Sequence, residues 1–316
     1  MRIIFLLVAH GNPFSGGMNV LKEHMRILKN ANFDVGFCCY NQEGYGAIHQ
    51  HIDPVYSHVW PTEFQTNDLI VIPEEFIWFA FSDVIPRNLQ YVIFSQGVSA
   101  MFNSGNENYQ EHKSAYEYAL ARMSNSHHTT VGINKLFDIP FSYIFECRIG
   151  IDSKLFYPEE KTKTACYLTY KNGEFARFVD IYFRGKYPDW ELIKIDRAPK
   201  EEMAKIFRKS KLFLNFGGPE GFGLPPLEAA FCNCKVIGFD GNGGSEFFKE
   251  PTFTSVKFKD HLDFIEKLDN NIKNVDTWSY KEIEYIDHLR QVYSLEKQTE
   301  SVLQFYNYLK SKYFTD

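Results

Sequence analysis

The sequence predicts an α/β chain of two domains, and three observations predict it. Short runs rich in β-branched and aromatic residues alternate with stretches of helical period, the pattern of parallel strands joined by crossover helices. The alternation stops at a polar, proline-bearing stretch, residues 152–163, and then starts again. A length of 316 residues at 44% hydrophobic composition supplies two buried cores of ordinary size.

In the first half the strand candidates are Arg2–Ala9, Asp34–Cys39, Asp68–Ile72, Gln90–Ser95 and Ser142–Cys147. The opening apolar run reads as a strand and not as a signal peptide, because it leads into His-Gly-Asn-Pro with no small-residue cleavage pattern. Between the first two strands, Met18, Leu21, Met25 and Leu28 fall on one helical face that a sheet would cover. The second half offers strands at Ala165–Thr169, Glu191–Ile195, Leu212–Phe216 and Lys235–Phe239, with helices over Ala198–Lys209 and Pro226–Phe231. From Trp278 to Phe314 the pattern is helical throughout, with Ile283, Leu289, Val292, Leu295, Val302, Phe305, Tyr306 and Leu309 able to line a buried seam. The domains expected are therefore 1–155, 156–300 and a terminal helix over 301–316 that packs back on the first.

Composition narrows the function. Lys plus Arg total 34 against 40 Asp plus Glu, a net charge of −6, so no broad field draws in a nucleic-acid backbone or an anionic membrane. An anionic ligand must be held by a local site. The six cysteines lie mostly in apolar runs without CxxC spacing and read as reduced core residues. With no run long enough to span a bilayer, the expected place is the cytoplasm, with peripheral contact at the inner membrane face left open.

The sharpest motif is Phe213-Leu-Asn-Phe-Gly-Gly-Pro-Glu220-Gly221-Phe222-Gly223-Leu224-Pro-Pro-Leu-Glu228-Ala-Ala. A buried strand runs into a glycine-rich loop, and the two prolines suit the first turn of a helix. Such a loop lets backbone N–H groups approach an anion, and the helix adds the positive end of its dipole, so a phosphate-bearing ligand is the natural occupant. Glu220 stands before the helix and Glu228 about one turn inside it, and each carboxylate can accept paired hydrogen bonds from vicinal hydroxyls. A plain alternative is an acidic residue favouring the helix dipole beside an ordinary surface glutamate.

This stretch resembles the E-x7-E signature of retaining glycosyltransferases of GT-B architecture, the family 4 group that uses nucleotide-sugar donors. The resemblance runs on through Phe14-Ser-Gly16-Gly17, Arg148-Ile-Gly-Ile-Asp-Ser-Lys-Leu-Phe-Tyr-Pro, Tyr167-Leu-Thr-Tyr-Lys171 and Gly241-Asn-Gly-Gly-Ser-Glu246. It implies two Rossmann-like domains facing across a cleft, with a C-terminal helical tail. It implies that Glu220 contacts donor-sugar hydroxyls near the reacting carbon, that Glu228 holds ribose hydroxyls, and that backbone groups of Gly221, Phe222, Gly223 and Leu224 line the sugar and phosphate pocket. Lys171 falls where the family carries one of two basic residues that neutralise the diphosphate; Tyr170 precedes it, and Arg177 lies in the following helix. Gly16 and Gly17 fall where the first domain approaches the donor, although a helix start capped by Ser15 explains them nearly as well. Gln96 falls at a cleft position that is often His in the family. The co-substrate implied is a nucleotide diphosphate-sugar, the acceptor a saccharide or lipid-linked saccharide of a surface polysaccharide, and neither metal nor other cofactor is expected.

Competing motifs are weak. The glycine runs fit neither G-x-G-x-x-G nor a P-loop, no G-x-S-x-G elbow occurs, and no D-x-D pair offers a divalent-metal site. His49, His51 and His58 lack the spacing of a metal site, and His127-His128 reads as surface loop. Aromatics near Phe76, Trp78 and Phe79 are candidates for an acceptor surface. Open alternatives are a nucleotide-sugar epimerase or hydrolase, a transferase acting on a protein or a nucleic-acid base, and a silent scaffold of the same architecture.

Overall fold

The computed structural model describes residues 1–7, 16–103 and 107–314. The chain divides into two compact units, 1–149 with 298–316, and 150–297.

The first unit is built on β1 (Arg2–Leu6), whose residues Ile3 to Leu6 are wholly buried, as in a parallel strand covered on both faces. The helix α1 (Gly16–Asn30) follows, burying Met18, Leu21, Met25 and Leu28, and leads to β2 (Asp34–Cys38). Next come α2 (Gln42–Ile48), β3 (Ser57–His58), β4 (Asp68–Pro73), the single turn α3 (Ile77–Phe79), β5 (Gln90–Ser95), α4 (Tyr109–Tyr118), β6 (Ala121–Ser124), α5 (His127–Phe137) and β7 (Ile144–Glu146). Among the described residues these strands form one parallel seven-stranded sheet in the order β3-β2-β1-β4-β5-β6-β7. Arg2 and Asp68, paired in register, tie the starts of β1 and β4 through two hydrogen bonds of 2.8 and 2.9 Å. From β1 the order runs outward to β2 and β3, and on the other side from β4 onward. The crevice at the carboxyl ends of β1 and β4 is thus the switch point, the place where such sheets bind ligands.

The second unit holds β8 (Thr162–Leu168), α6 (Gly173–Lys186), β9 (Glu191–Ile195), α7 (Lys200–Lys209), β10 (Ser210–Asn215), α8 (Leu224–Phe231), β11 (Lys235–Gly238), β12 (Phe253–Ser255), α9 (His261–Lys273) and α10 (Tyr280–Val292). Its parallel sheet has the order β12-β11-β10-β8-β9, so the switch point lies between β8 and β10. Phe175, Val179, Phe183, Phe216, Phe239 and Phe264 fill one face of that sheet. The helix α11 (Leu295–Tyr313) crosses the boundary, and from Gln298 onward it belongs to the first unit. There Tyr306 meets Phe5 and Phe305 meets Phe145, at ring separations of 6.3 and 5.1 Å.

Several elements differ from expectation. The first strand is described to Leu6, and Val8 and Ala9 lie outside the described residues. The strand expected at 142–147 is only Ile144–Glu146, because Pro140 starts a 3-10 turn over Phe141–Tyr143. The terminal helix is two helices parted after Val292, and Ile283 faces outward instead of lining a seam. His127 and His128 open α5, where Ser126 caps the helix by accepting from Thr129 N–H at 3.2 Å. Phe76 and Phe79 are core residues packed with Ile72 and Ile77, so of the three suggested acceptor aromatics only Trp78 stays half-buried.

Candidate functional site

In the second unit the functional loop leaves β10 at Asn215, whose Nδ2 donates to the Phe239 carbonyl at 2.6 Å while Phe239 N–H donates back to the Asn215 carbonyl at 3.0 Å. This stitches the end of β10 to the end of β11. Farther along, Glu220 N–H donates to the Gly241 carbonyl at 2.9 Å, and the Glu220 carbonyl accepts from Gly243 N–H at 3.2 Å. The second glycine run is therefore the backing of the first. Gly243 is required by contact, since a Cβ there would sit 2.0 Å from the Gly221 carbonyl oxygen. Gly223 is required by conformation: its φ of 82° turns the chain into α8.

Lys171 follows β8, across the switch point, and its Nζ lies 3.1 Å from Glu220 Oε2 with both side chains partly open to solvent. Asn172, which holds a left-handed conformation at φ 43°, donates from Nδ2 to the Phe216 carbonyl at 2.7 Å and ties the Lys171 turn to the glycine loop. Sequence reading passed over Asn172; its adjacency to a glycine, Asn172-Gly173, was the available signal.

Glu228 is buried in α8 at 1% exposure. Among the described residues its Oε2 has no hydrogen-bond partner, and its Oε1 is 4.0 Å from Lys200 Nζ. Burial pushes its carboxyl up to about 7, against the pull of Lys200. Tyr170 stands beside both glutamates: its phenol is raised by partial burial and then by the negative charges of Glu220 and Glu228, with Arg197 pulling the other way. Arg197, exposed and at φ 44° just after β9, adds positive charge near Tyr170 to that of Lys171 and Lys200, and Arg177 is exposed on α6. Phe222 turns its ring inward onto Phe247 and Tyr293, at 5.2 and 5.3 Å, leaving its backbone as the part that can face a ligand. Glu220, Lys171 and the Gly221–Leu224 segment are gathered at one switch point, with Glu228 behind them in the helix that follows.

The first unit assembles a second group at its own switch point. Gly16 and Gly17 open α1, and a Cβ on Gly17 would lie 3.4 Å from Gln96 Oε1, a buried atom with no hydrogen-bond partner among the described residues. Gln96 N–H donates to Glu74 Oε1 at 2.7 Å, and its carbonyl accepts from Asn125 Nδ2 at 3.0 Å. Glu74 is buried, and burial pushes its carboxyl up to about 8 despite backbone N–H donors. It was not anticipated, because Glu74-Glu75 reads as an ordinary polar loop after a strand. Among the described residues no cluster of three His, Cys, Asp or Glu side chains could hold a metal ion. His49 stacks on Tyr45, and His58 accepts from Cys39 N–H through Nε2 at 3.3 Å.

The chain superposes over 98% of its length on Anabaena HepE in complex with UDP-glucose, covering all of that chain, with a TM-score of 0.73 at 11% identity. The fold is GT-B. The pneumococcal O-GlcNAc transferase GtfA, in complex with UDP and GlcNAc, shares the GT-B fold at a TM-score of 0.72 and 9% identity, with 100% of this chain and 99% of that one covered. Sucrose-phosphate synthase from Thermosynechococcus elongatus matches at 0.70 and 13% identity, with 98% and 100% covered. In sequence, an alpha-1,6-glucosyltransferase of Actinobacillus pleuropneumoniae serotype 7 is 23% identical over 252 residues, 76% of this chain and 73% of that protein. No family model matches the chain.

Proposed function

We propose that this GT-B chain is a retaining glycosyltransferase that moves a sugar from a nucleotide diphosphate-sugar to a saccharide or lipid-linked saccharide of a surface polysaccharide, acting in the cytoplasm. The observation that carries the reading is the group at the second unit's switch point: an Lys171–Glu220 pair 3.1 Å apart beside a glycine loop, and a buried Glu228 whose Oε2 lacks a partner. A carboxylate oxygen held in a dry site without a donor is destabilised until a hydroxyl reaches it, and ribose offers two side by side. UDP-glucose is the first donor to test, since similar structures carry UDP or UDP-glucose and the similar sequence is an alpha-1,6-glucosyltransferase.

In this reading departure of the nucleoside diphosphate leaves an oxocarbenium-like sugar, and the developing charge on the leaving phosphate is met by Lys171, the loop amides of Gly221 to Leu224 and the amino end of α8. Arg197 is the proposed second cation, filling the place where the sequence offers no arginine beside Lys171. Glu220 orients sugar hydroxyls and keeps Lys171 in place; it is not the covalent nucleophile of a retaining glycosidase. The acceptor attacks on the face that the phosphate leaves, and the phosphate takes the acceptor proton, so the anomeric configuration is retained. Gln96 and the Gly16–Gly17 turn are assigned to the donor as well. The test is turnover of Glu220→Gln and Lys171→Ala, each expected to fall about 100-fold or more with the fold intact. Wild-type turnover in Glu220→Gln removes that residue from the mechanism.

A further inference from the structure

The ladders of β5 end at Phe94 on the β4 side and at Ser95 on the β6 side. The backbone of Gln96, one residue farther, is left to side chains. Its N–H donates to Glu74 Oε1 at 2.7 Å, and its carbonyl accepts from Asn125 Nδ2 at 3.0 Å. Glu74 follows β4 and Asn125 follows β6, so Gln96 is gripped from the strands on either side. Both grips are buried, Glu74 at 3% exposure and Asn125 at 6%. Asn125 Oδ1 accepts in turn from Thr129 Oγ1 at 3.3 Å, and the N–H groups of Gly97 and of Glu74 itself are also turned toward the Glu74 carboxyl.

Backbone groups past the end of a sheet are ordinarily met by a turn or by water. A buried carboxyl is an expensive replacement, because burial disfavours its charge. The effect is visible in its proton affinity, which burial and then the neighbouring charge of Glu75 raise to a midpoint of about 8. On α4 the Tyr116 phenol is raised by burial and then by Glu74, and it pairs with Ser95 Oγ at 2.7 Å. What this arrangement supports is the side chain of Gln96. A Cβ on Gly17 would meet Gln96 Oε1 at 3.4 Å, Nε2 at 3.5 Å and Cδ at 3.6 Å. Near-equal distances to three atoms mean that the amide plane, and not an edge, faces the start of α1. With both its backbone polar groups held, Gln96 has little freedom to move that plane.

We propose that Glu74 is a positioning residue of the donor site: by accepting from Gln96 N–H it sets the Gln96 carboxamide against Gly17 and so presets the glycine turn that receives the nucleotide-sugar. Buried as it is, Glu74 acts through Gln96 and not on the sugar. The link to the donor rests on the transferase reading, while the hold of Glu74 on Gln96 does not. A glutamine in place of Glu74 keeps an oxygen for the Gln96 N–H; a leucine fills the space and leaves that N–H without its acceptor.

The test compares the full wild-type chain with Glu74→Gln, Glu74→Leu and Gly17→Ala, each checked for folding by thermal denaturation. Nuclear magnetic resonance of the backbone amides, without nucleotide, reads the grip, and kcat/KM for whichever nucleotide-sugar the wild type cleaves reads its use. The Gln96 amide resonance is expected to titrate in the wild type with a midpoint near 8 and to lose that step in Glu74→Gln. Its exchange with solvent is expected to stay within about threefold of wild type in Glu74→Gln and to rise about tenfold or more in Glu74→Leu. Turnover follows the same order, with kcat/KM within about threefold of wild type in Glu74→Gln and lower by about tenfold or more in Glu74→Leu. Gly17→Ala displaces the carboxamide from the other side, so it is expected to lower kcat/KM while Gln96 amide exchange is unchanged. A Gln96 amide with no step that Glu74→Gln removes overturns the proposal, and this decides it even where Glu74→Leu does not fold. Wild-type turnover in a folded Glu74→Leu overturns it as well, as does an equal loss in Glu74→Gln and Glu74→Leu, which would make the carboxylate itself the working group. A wild-type chain that cleaves no donor refutes the transferase reading, and the amide resonance then decides the hold of Glu74 on Gln96 by itself.

Discussion

Glu228→Gln isolates the buried carboxylate at the centre of the proposed donor site. The wild-type carboxyl is held near 7 against an ordinary value of 4.5, so its charged form is disfavoured in the fold by about 3 kcal/mol. The sign follows from proton binding. Between 4.5 and about 7 the native state holds a proton that the unfolded chain has released, so stability falls as pH rises through that window and is flat beyond it. Glutamine has the shape of the protonated acid and never ionises. At pH 4.5 the two proteins are expected to be equally stable; at pH 8.5 the variant is expected to be more stable by about 3 kcal/mol, on the order of 6–12 °C in Tm. Thermal denaturation of both proteins at the two pH values, without nucleotide, gives the result directly. Other groups titrate in the same range, but they cancel in the difference between the two proteins. A difference independent of pH, or a variant destabilised at both, refutes the idea that Glu228 Oε2 waits without a donor. The same variant is expected to weaken UDP binding, so stability and affinity move in opposite directions.

Other predictions follow from the same contacts. Gly243→Ala must push the Gly221 carbonyl away from a Cβ built 2.0 Å from it, costing about 2 kcal/mol or more and abolishing donor-induced stabilisation, as urea unfolding with and without UDP will report. Glu74, held up to about 8 by burial, makes the first unit lose stability from its ordinary 4.5 upward; Glu74→Gln is expected to flatten that loss, so its advantage over wild type should grow between pH 5 and pH 9 in denaturant titrations. A constant difference at all pH values contradicts this. Turnover is expected to be unchanged after treatment with EDTA, and a loss that Mn²⁺ restores would contradict charge neutralisation by Lys171 and the loop amides.

Much of the molecule is legible in its sequence where structure depends on neighbours along the chain. The strands at Gln90–Ser95 and Glu191–Ile195 fall where the apolar runs put them, and the loop from Phe216 to Pro226 announces itself because strand end, glycines and prolines are contiguous. What was missed depends on distant partners. β6 was overlooked because Ala121-Arg-Met-Ser carries a charge, yet Arg122 is buried with its guanidinium bonded to the carbonyls of Tyr116 and Glu117. Arg197 sits in a left-handed turn that no propensity assigns to it, and Glu74 matters only because β5 brings the Gln96 amide to it. The pairing of Lys171 with Glu220, 49 residues apart, needed the sheet order to become visible.

The most direct test of donor chemistry is release of nucleoside diphosphate. The purified chain is incubated with UDP-glucose and with other UDP-, GDP-, dTDP- and ADP-sugars, and the liberated nucleotide is measured by mass spectrometry beside the thermal shift each donor produces. The expected result is that one donor stabilises the protein and loses its nucleoside diphosphate, with the rate collapsing in Glu220→Gln. A folded protein that neither binds nor cleaves any donor in the panel contradicts the transferase reading.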